Sequence, residues 1–264
     1  VTFLDLVEQI RLCFQPLSLD DYKGEFGFII NSSTEIARVG YATNLDQFTA
    51  KKATREGVDA LLTHHDAWGF LYELRTKVLS MLKSASISHC FVHLPLDAAP
   101  FGTAVSLAEA LGLRLKAEFA RYEGLACGRI CEAPKPEALD ELAVRLAEST
   151  KAGVRVWQNN TRVIRRVGIT TGGGNLTDVL QEAADMGCDT YVTGETNLYT
   201  IQYAQHRNMN LIVGTHTHTE FPGVESLCNK LRLSTGLEFV PIHEEDSETG
   251  IQATTTNRSS AKNT

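Results

Sequence analysis

The sequence predicts an α/β protein of two packed lobes with mainly parallel strands. Three observations carry this. Short β-branched or aromatic runs alternate with longer amphipathic segments, and the rhythm recurs in the second half after a break. Several of the short runs also end abruptly in histidine or acidic side chains. The opening stretch, VTFLDLVEQIRLCF, has apolar residues at helical spacing and reads as a helix. FGFII, IARVGYAT and DALLT then read as strands, LYELRTKVLSMLKS as a helix, HCFVHL as a strand and GTAVSLAEALGL as a helix. The middle, LRLKAEFARYEGLACGRICEAPKP, lacks a long helical pattern and reads as two strands turning into Pro134 and Pro136, after which EALDELAVRLAEST resumes a helix.

In the second half, RRVGITT, DTYVTG and NLIVGTH read as strands separated by the helical patterns NLTDVLQEAADMG and TNLYTIQYAQHRN. GVESLCNKLRL reads as a last helix, and a strand near LEFVPI closes the domain. The expected division is an N-terminal lobe with its linking strands over 1–133 and a C-terminal lobe over 134–243. From Glu244 the chain turns acidic and then rich in Thr, Ser and Asn. With so little to bury, 244–264 is expected to be a disordered tail.

At 264 residues, with 43% hydrophobic and 22% charged residues, the chain can bury a sizeable core. No apolar run approaches the roughly 20 residues of a membrane helix, so a membrane protein is not expected. The N-terminus carries Asp5 and Glu8 and lacks a basic start and cleavage site, which predicts a cytosolic (cytoplasmic) chain. The six cysteines are scattered, and CGRIC has no second pair to complete a zinc site, so free thiols are expected. A net charge of −7 argues against a general affinity for nucleic acid or anionic lipid, although RVIRRVG clusters three arginines locally.

In open α/β sheets ligands gather at the carboxyl ends of strands, and four such ends are polar here. His64 and His65 follow DALLT. Asp97 lies in HCFVHLPLDAAP, with His93 four residues earlier; Glu195 lies in YVTGET; and GTHTHTE holds His216, His218 and Glu220. Imidazoles and carboxylates converging from several strand ends form a donor set for zinc, iron or manganese. Strand side chains alternate between faces, so His64 and His65 face one way only if the chain leaves extended geometry; otherwise they address different ions, which favours a dinuclear site. Pro222 is best tolerated in a first helical turn, so the last helix is expected to begin near Thr219 or Glu220. TTGGGN joins a strand to a helix whose first amides can hold an anion; tight backbone geometry is the alternative, and a P-loop lysine is absent.

LLTHHDAWGF, HLPLDAAPFG, CGRICEAPKP, TTGGG, YVTGET and GTHTHTE, in this order, resemble the Nif-three-like dinuclear-metal family, which includes proteins called GTP cyclohydrolase I type 2 homologues. The resemblance spans roughly residues 1 to 242. It implies His64, His65, Asp97, His216 and Glu220 as ligands of two divalent ions, and a toroidal homo-hexamer with sites facing an internal cavity. Two departures stand out. Asp66 replaces a proline after the paired histidines and adds a carboxylate there, and the family's early Asp-Asn-x-Gly-Leu-like stretch is reduced to KGEFGFI.

The expected activity is that of a metal-dependent hydrolase in which two adjacent ions deprotonate a water and polarise a carbonyl, imine or phosphoryl oxygen of a small-molecule substrate. His218, Glu195 and Asp66 are the candidates for proton transfer. His218 comes first, because two residues from a ligand it shares a face of an extended segment; structural support of the ligands is its alternative role. A cyclohydrolase would open a purine imidazole ring by attack on the carbon between two nitrogens. The rival expectation is a metal-binding regulatory or chaperone-like protein without turnover.

Overall fold

A computed structural model describes residues 1–32, 35–246 and 248 of the chain. The first part runs α1 (Phe3–Cys13), β1 (Phe26–Ile29), β2 (Arg38–Ala42), α2 (Gln47–Glu56), β3 (Ala60–Thr63), α3 (Glu73–Ser84), β4 (Ser88–Val92), α4 (Leu94–Ala98) and α5 (Thr103–Ala110). The hairpin β5 (Arg114–Tyr122) and β6 (Leu125–Glu137) follows, then α6 (Leu139–Thr150), β7 (Arg155–Trp157), β8 (Ile164–Ile169) and α7 (Thr177–Asp185). The chain closes with β9 (Thr190–Thr193), α8 (Leu198–His206), β10 (Asn210–Val213), α9 (His216–Thr235) and β11 (Glu238–Pro241).

Every residue of β3 and β4 is buried, as a strand covered on both faces requires, and this is why DALLT and HCFVHL read as nearly unbroken apolar runs. They lie in a sheet of order β1-β4-β3-β2-β11, in which β4, β3, β2 and β11 are parallel and β1 is antiparallel at the edge. One face packs Leu62 and Val92 against Leu6 and Ile10 of α1 and Leu227 and Leu231 of α9. The other packs Leu61 against Ala53 of α2 and Leu82 of α3. The second sheet has the order β5-β6-β8-β9-β10-β7, parallel across β8, β9 and β10 and antiparallel elsewhere. Its faces are covered by α5 and α6, through Leu107, Leu142 and Leu146, and by Leu180 of α7 and Ala204 of α8. The α/β reading holds, with parallel strands dominant in the first sheet and mixed pairing in the second.

The sheets do not follow a single cut at residue 133. The β5–β6 hairpin pairs with β8 and so joins the second sheet, while β11 returns to pair in parallel with β2 of the first. Strand β6 also continues through Pro134 and Pro136, at the cost of a register shift between Glu132 and Glu137 where prolines offer no N–H to the ladder. Helix α9 starts earlier than expected. Thr215 caps it, its hydroxyl accepting the His218 N–H at 3.3 Å, and Pro222 lies inside the helix, which gives up one intrahelical hydrogen bond.

The stretch after residue 243 is partly anchored. The Glu244 carboxylate accepts the Thr43 N–H at 2.8 Å and the Asn44 side-chain N–H at 2.6 Å, Asp246 accepts the Gly153 N–H at 3.2 Å, and Glu248 accepts those of His216 and Thr217 at 2.7 and 3.0 Å. The expectation of disorder for 244–264 is therefore corrected for these acidic residues. The rest of that expectation, residues 247 and 249–264, lies outside the described residues. All six cysteines are free. Among the described residues no helix is long and apolar enough to cross a membrane.

Candidate metal centre

The carboxyl ends of β2, β3 and β4 meet those of β8, β9 and β10, and the polar strand ends of the sequence converge there. At the end of β3 the chain leaves extended geometry. The N–H groups of His64 and His65 both donate to the Thr43 carbonyl, at 3.1 and 2.8 Å, and the Thr63 hydroxyl donates to the His65 carbonyl at 2.6 Å. His89, fully buried on β4, contacts the same hydroxyl through Nε2 at 2.8 Å. This bend brings the two imidazoles to one side, their centroids 4.6 Å apart.

Each imidazole has its Nδ1 tied to an oxygen. His64 Nδ1 donates to the Val92 carbonyl at 2.9 Å, His65 Nδ1 to Asn44 Oδ1 at 2.7 Å and His216 Nδ1 to Glu195 Oε1 at 2.6 Å. With the proton on Nδ1, the Nε2 lone pair of each ring points inward, an arrangement that orients metal-ligating histidines. His64 Nε2 lies 3.3 Å from Asp97 Oδ1 and 3.7 Å from Glu220 Oε1, while His65 and His216 Nε2 lie 3.3 and 3.2 Å from the two Glu220 oxygens. Lone pairs facing carboxylate oxygens at these distances repel unless a proton or a cation lies between them.

Two observations fit a cation. Among the described residues, His64 Nε2 and Glu220 Oε2 are buried without a hydrogen-bond partner, a costly state for polar atoms that a metal would relieve. Gly172, at φ +55°, also leaves open the space its side chain would fill: a Cβ there would lie 1.9 Å from Glu220 Oε1 and 2.8 Å from His216 Nε2. The donor atoms fall into three groups, each within 4.8 Å: His64, Asp97 and Glu220; His65, His216 and Glu220; and His64, His65 and His93. Glu220 belongs to the first two. Buried nitrogen and carboxylate donors suit zinc, iron or manganese.

Burial opposes a charge on His64, but the carboxylates of Asp97 and Glu220 outweigh it and raise its pKa well above the ordinary value. His216 is likewise opposed by burial and is raised to about 10 by Glu220 and Glu195. Burial dominates at His65 and holds it well below the usual range. Burial disfavours the Glu220 carboxylate, yet the three surrounding imidazoles drive its pKa well down. Without metal, protons would thus reside on His64 and His216, where a cation would displace them.

Asp97, in α4, accepts the Thr103 hydroxyl at 2.7 Å, and Thr103 in turn accepts that of Thr171 at 2.7 Å, which ties Asp97 to the glycine loop. The loop serves close packing. The Gly172 N–H is already given to Thr219 at 3.0 Å, and α7 begins only at Thr177.

Two of the three proton-transfer candidates lie elsewhere. Asp66 turns to Arg75 at 3.5 Å and is absent from the donor groups. His218 is turned away because the segment is helical, not extended, and residues two apart on a helix occupy different faces. Its Nδ1 meets Thr215 at 2.8 Å and its Nε2 the Glu244 carbonyl at 3.3 Å. Glu195 is at the site, where its hydrogen bond to His216 lowers its pKa.

Three residues not singled out as site residues line the cleft over the centre, whose volume is about 590 Å³: Glu25, His93 and Trp68. His93 Nδ1 is 2.5 Å from Glu25 Oε2. The sequence signal for His93 was its place at the same strand end as Asp97. Glu25 comes from KGEFGFI, brought alongside by the antiparallel pairing of Phe26 with Val92.

Fold and site together define an α/β protein with a buried imidazole–carboxylate donor cluster at the junction of two sheets. The chain belongs to the Duf34/NIF3 family (NGG1p interacting factor 3), whose family model matches residues 3–247. Relatives named GTP cyclohydrolase 1 type 2 homolog include one from Pyrococcus horikoshii, 30% identical over 94% of this chain and 100% of the relative. Another, from Archaeoglobus fulgidus, is 26% identical over 90% and 97%. A Thermus thermophilus protein of known structure matches with a TM-score of 0.78 at 24% identity, over 94% of this chain and 100% of that one. A Bacillus cereus protein related to NIF3 matches at 0.76 and 14% identity, over 96% and 99%. At these identities the structures speak for the fold alone.

Proposed function

We propose that the protein is a metal-dependent hydrolase holding two divalent ions, one at His64, Asp97 and Glu220 and the other at His65, His216 and Glu220, with Glu220 shared. The observation that carries this reading is that one buried carboxylate belongs to two donor groups whose three histidines all turn Nε2 inward. When bound, such ions lower the pKa of a water and polarise a substrate oxygen or nitrogen.

The chain's own groups supply the rest. Glu195 and Asn44 hold the Nδ1 protons of His216 and His65 and so fix both tautomers. Trp68 and Phe70, stacked at 6.5 Å and 15°, offer the cleft an apolar wall against which a planar ring can lie. His93, paired with Glu25 and facing the same cleft, is placed to pass a proton to a leaving nitrogen, the role first sought in His218. A planar heterocycle opened by water accords with the cyclohydrolase name of the relatives. Family resemblance also supports a homo-hexamer, which a mass near six chains in light scattering would bear out and a clean monomer would contradict.

The test is metal-loaded protein assayed against GTP, other purine nucleotides and cyclic amides, with metal content measured on the same samples. His65→Ala should lose metal and turnover together. Glu25→Gln should keep the metal and lower kcat by about 10²-fold or more. Turnover by metal-free protein would refute the reading. Fully loaded protein that turns over none of these substrates would favour the regulatory, metal-binding alternative.

A further inference from the structure

The three arginines of RVIRRVG take no part in the metal centre. Arg165 and Arg166 open β8, whose other end leads into the Gly172 loop, so they lie about 20 Å from the centre at roughly 3.3 Å per strand residue. Together with Arg162 and Arg207 they line a recess of about 760 Å³ between the Pro134–Pro136 stretch of β6 and the turn from Ala184 to Asp189. None of its lining residues belongs to the cleft over the metal centre.

The recess carries an excess of positive charge, its arginines outnumbering Glu132 and Asp189. Arg207 is paired with Asp185 at 2.6 Å, but none of the ion pairs among the described residues involves Arg162, Arg165 or Arg166. The two carboxylates in the wall are already engaged. Glu132 is held by Lys116 at 2.9 Å, and Asp189 accepts the Arg165 and Arg166 N–H groups at 2.9 and 3.1 Å and the Thr190 hydroxyl at 2.9 Å. Arg166 lies opposite Glu132 in the β6–β8 ladder and the two attract each other, yet its Nε is buried with no acceptor among the described residues. Glu132, Asp185 and Asp189 offset part of this charge, and the excess that an anion would neutralise lies at Arg162 and Arg165, both exposed and in no ion pair among the described residues.

We propose that this recess binds a small phosphorylated anion, with Arg162, Arg165 and Arg166 as its recognition groups. Guanidinium groups match phosphate oxygens in geometry and charge, and the volume suits a metabolite. A nucleic-acid strand fits the observations less well. The basic groups lie in a recess, and Glu132, Asp185 and Asp189 interrupt any continuous basic track that would follow a backbone.

The test is equilibrium dialysis of metal-loaded protein against pyrophosphate at low ionic strength, with metal content measured in parallel. Arg162 and Arg165 are exposed, so R162A/R165A should melt like wild type and lose affinity by about tenfold or more. E220Q should bind pyrophosphate as wild type does, because the recess does not depend on the metal centre. Unchanged binding by R162A/R165A, or binding lost in E220Q alone, would overturn the proposal, the latter placing the anion on the metals. Arginine-dependent binding of a single-stranded RNA without binding of pyrophosphate would overturn it in favour of nucleic acid.

Discussion

Replacing Gly172 with alanine should empty the metal centre without touching a ligand. The added Cβ would lie 1.9 Å from Glu220 Oε1, where ordinary contact begins at 3.4 Å, so the carboxylate must retreat by about 1.5 Å. Metal sites tolerate displacements of about 0.2 Å in donor distance. The same Cβ would lie 2.8 Å from His216 Nε2, so both donors shared by the second group are disturbed. The left-handed backbone adds about 1–2 kcal/mol for any residue with a Cβ. The fold should survive that cost, while metal affinity should fall at least about 100-fold, beyond the loss usual for a supporting residue. Gly173→Ala is the control, because a Cβ there meets nothing closer than 3.8 Å and its φ is not left-handed. Equilibrium dialysis with zinc, iron and manganese, beside thermal melts of both variants, reads the result. A folded G172A protein that binds metal with wild-type affinity would refute the packing argument.

Metal binding near neutral pH should release protons, because the pKa of His216 is raised to about 10 and its ring is charged until a cation displaces the proton. Calorimetry in buffers of different ionisation enthalpy measures this, and an absence of release would show that the imidazoles are neutral beforehand. Glu244 is pushed up to about 7 by burial, so the native state keeps a proton that the unfolded chain gives up near 4.5. Its contribution to stability is complete below 4.5 and is lost as pH rises through about 7, by about 3 kcal/mol at most. E244Q should flatten that fall in urea unfolding between these values, and an unchanged pH profile in the variant would discount Glu244. Thr63→Val removes the hydroxyl that links His89 to the His65 carbonyl and should cost about 1–3 kcal/mol and weaken metal binding, with Thr63→Ser restoring both. A valine variant with wild-type metal affinity would mean that the bend at His64–His65 holds without Thr63.

The α/β rhythm was legible because strands covered on both faces are written as short apolar runs, and His64, His65, Asp97, His216 and Glu220 were legible as polar residues breaking those runs. What escaped the sequence depends on distant pairing or on one local competition. Nothing in LEFVPI indicates that β11 will pair with β2, almost the whole chain away. The start of α9 pitted the Thr215 cap against Pro222, and the cap prevailed. That His218 faces away from the centre follows from that one choice, since residues two apart share a face in a strand and part by about 200° in a helix. Glu25 has no periodic pattern around it, and its place beside His93 comes from the antiparallel seating of β1 on β4. The two adjacent histidines can face one way only if the chain leaves extended geometry between them, whatever the number of ions. The bend is present, set by Thr43 and Thr63, residues whose role no spacing rule reveals.

Metal analysis of the purified protein shows directly whether two ions are held at Glu220. Protein purified without chelator and loaded in turn with zinc, iron and manganese should approach two ions per chain with at least one of them, and Glu220→Gln, which removes the carboxylate common to both groups, should lose at least one ion while remaining folded. Folded wild-type protein that never holds more than a trace of any of the three would contradict the account.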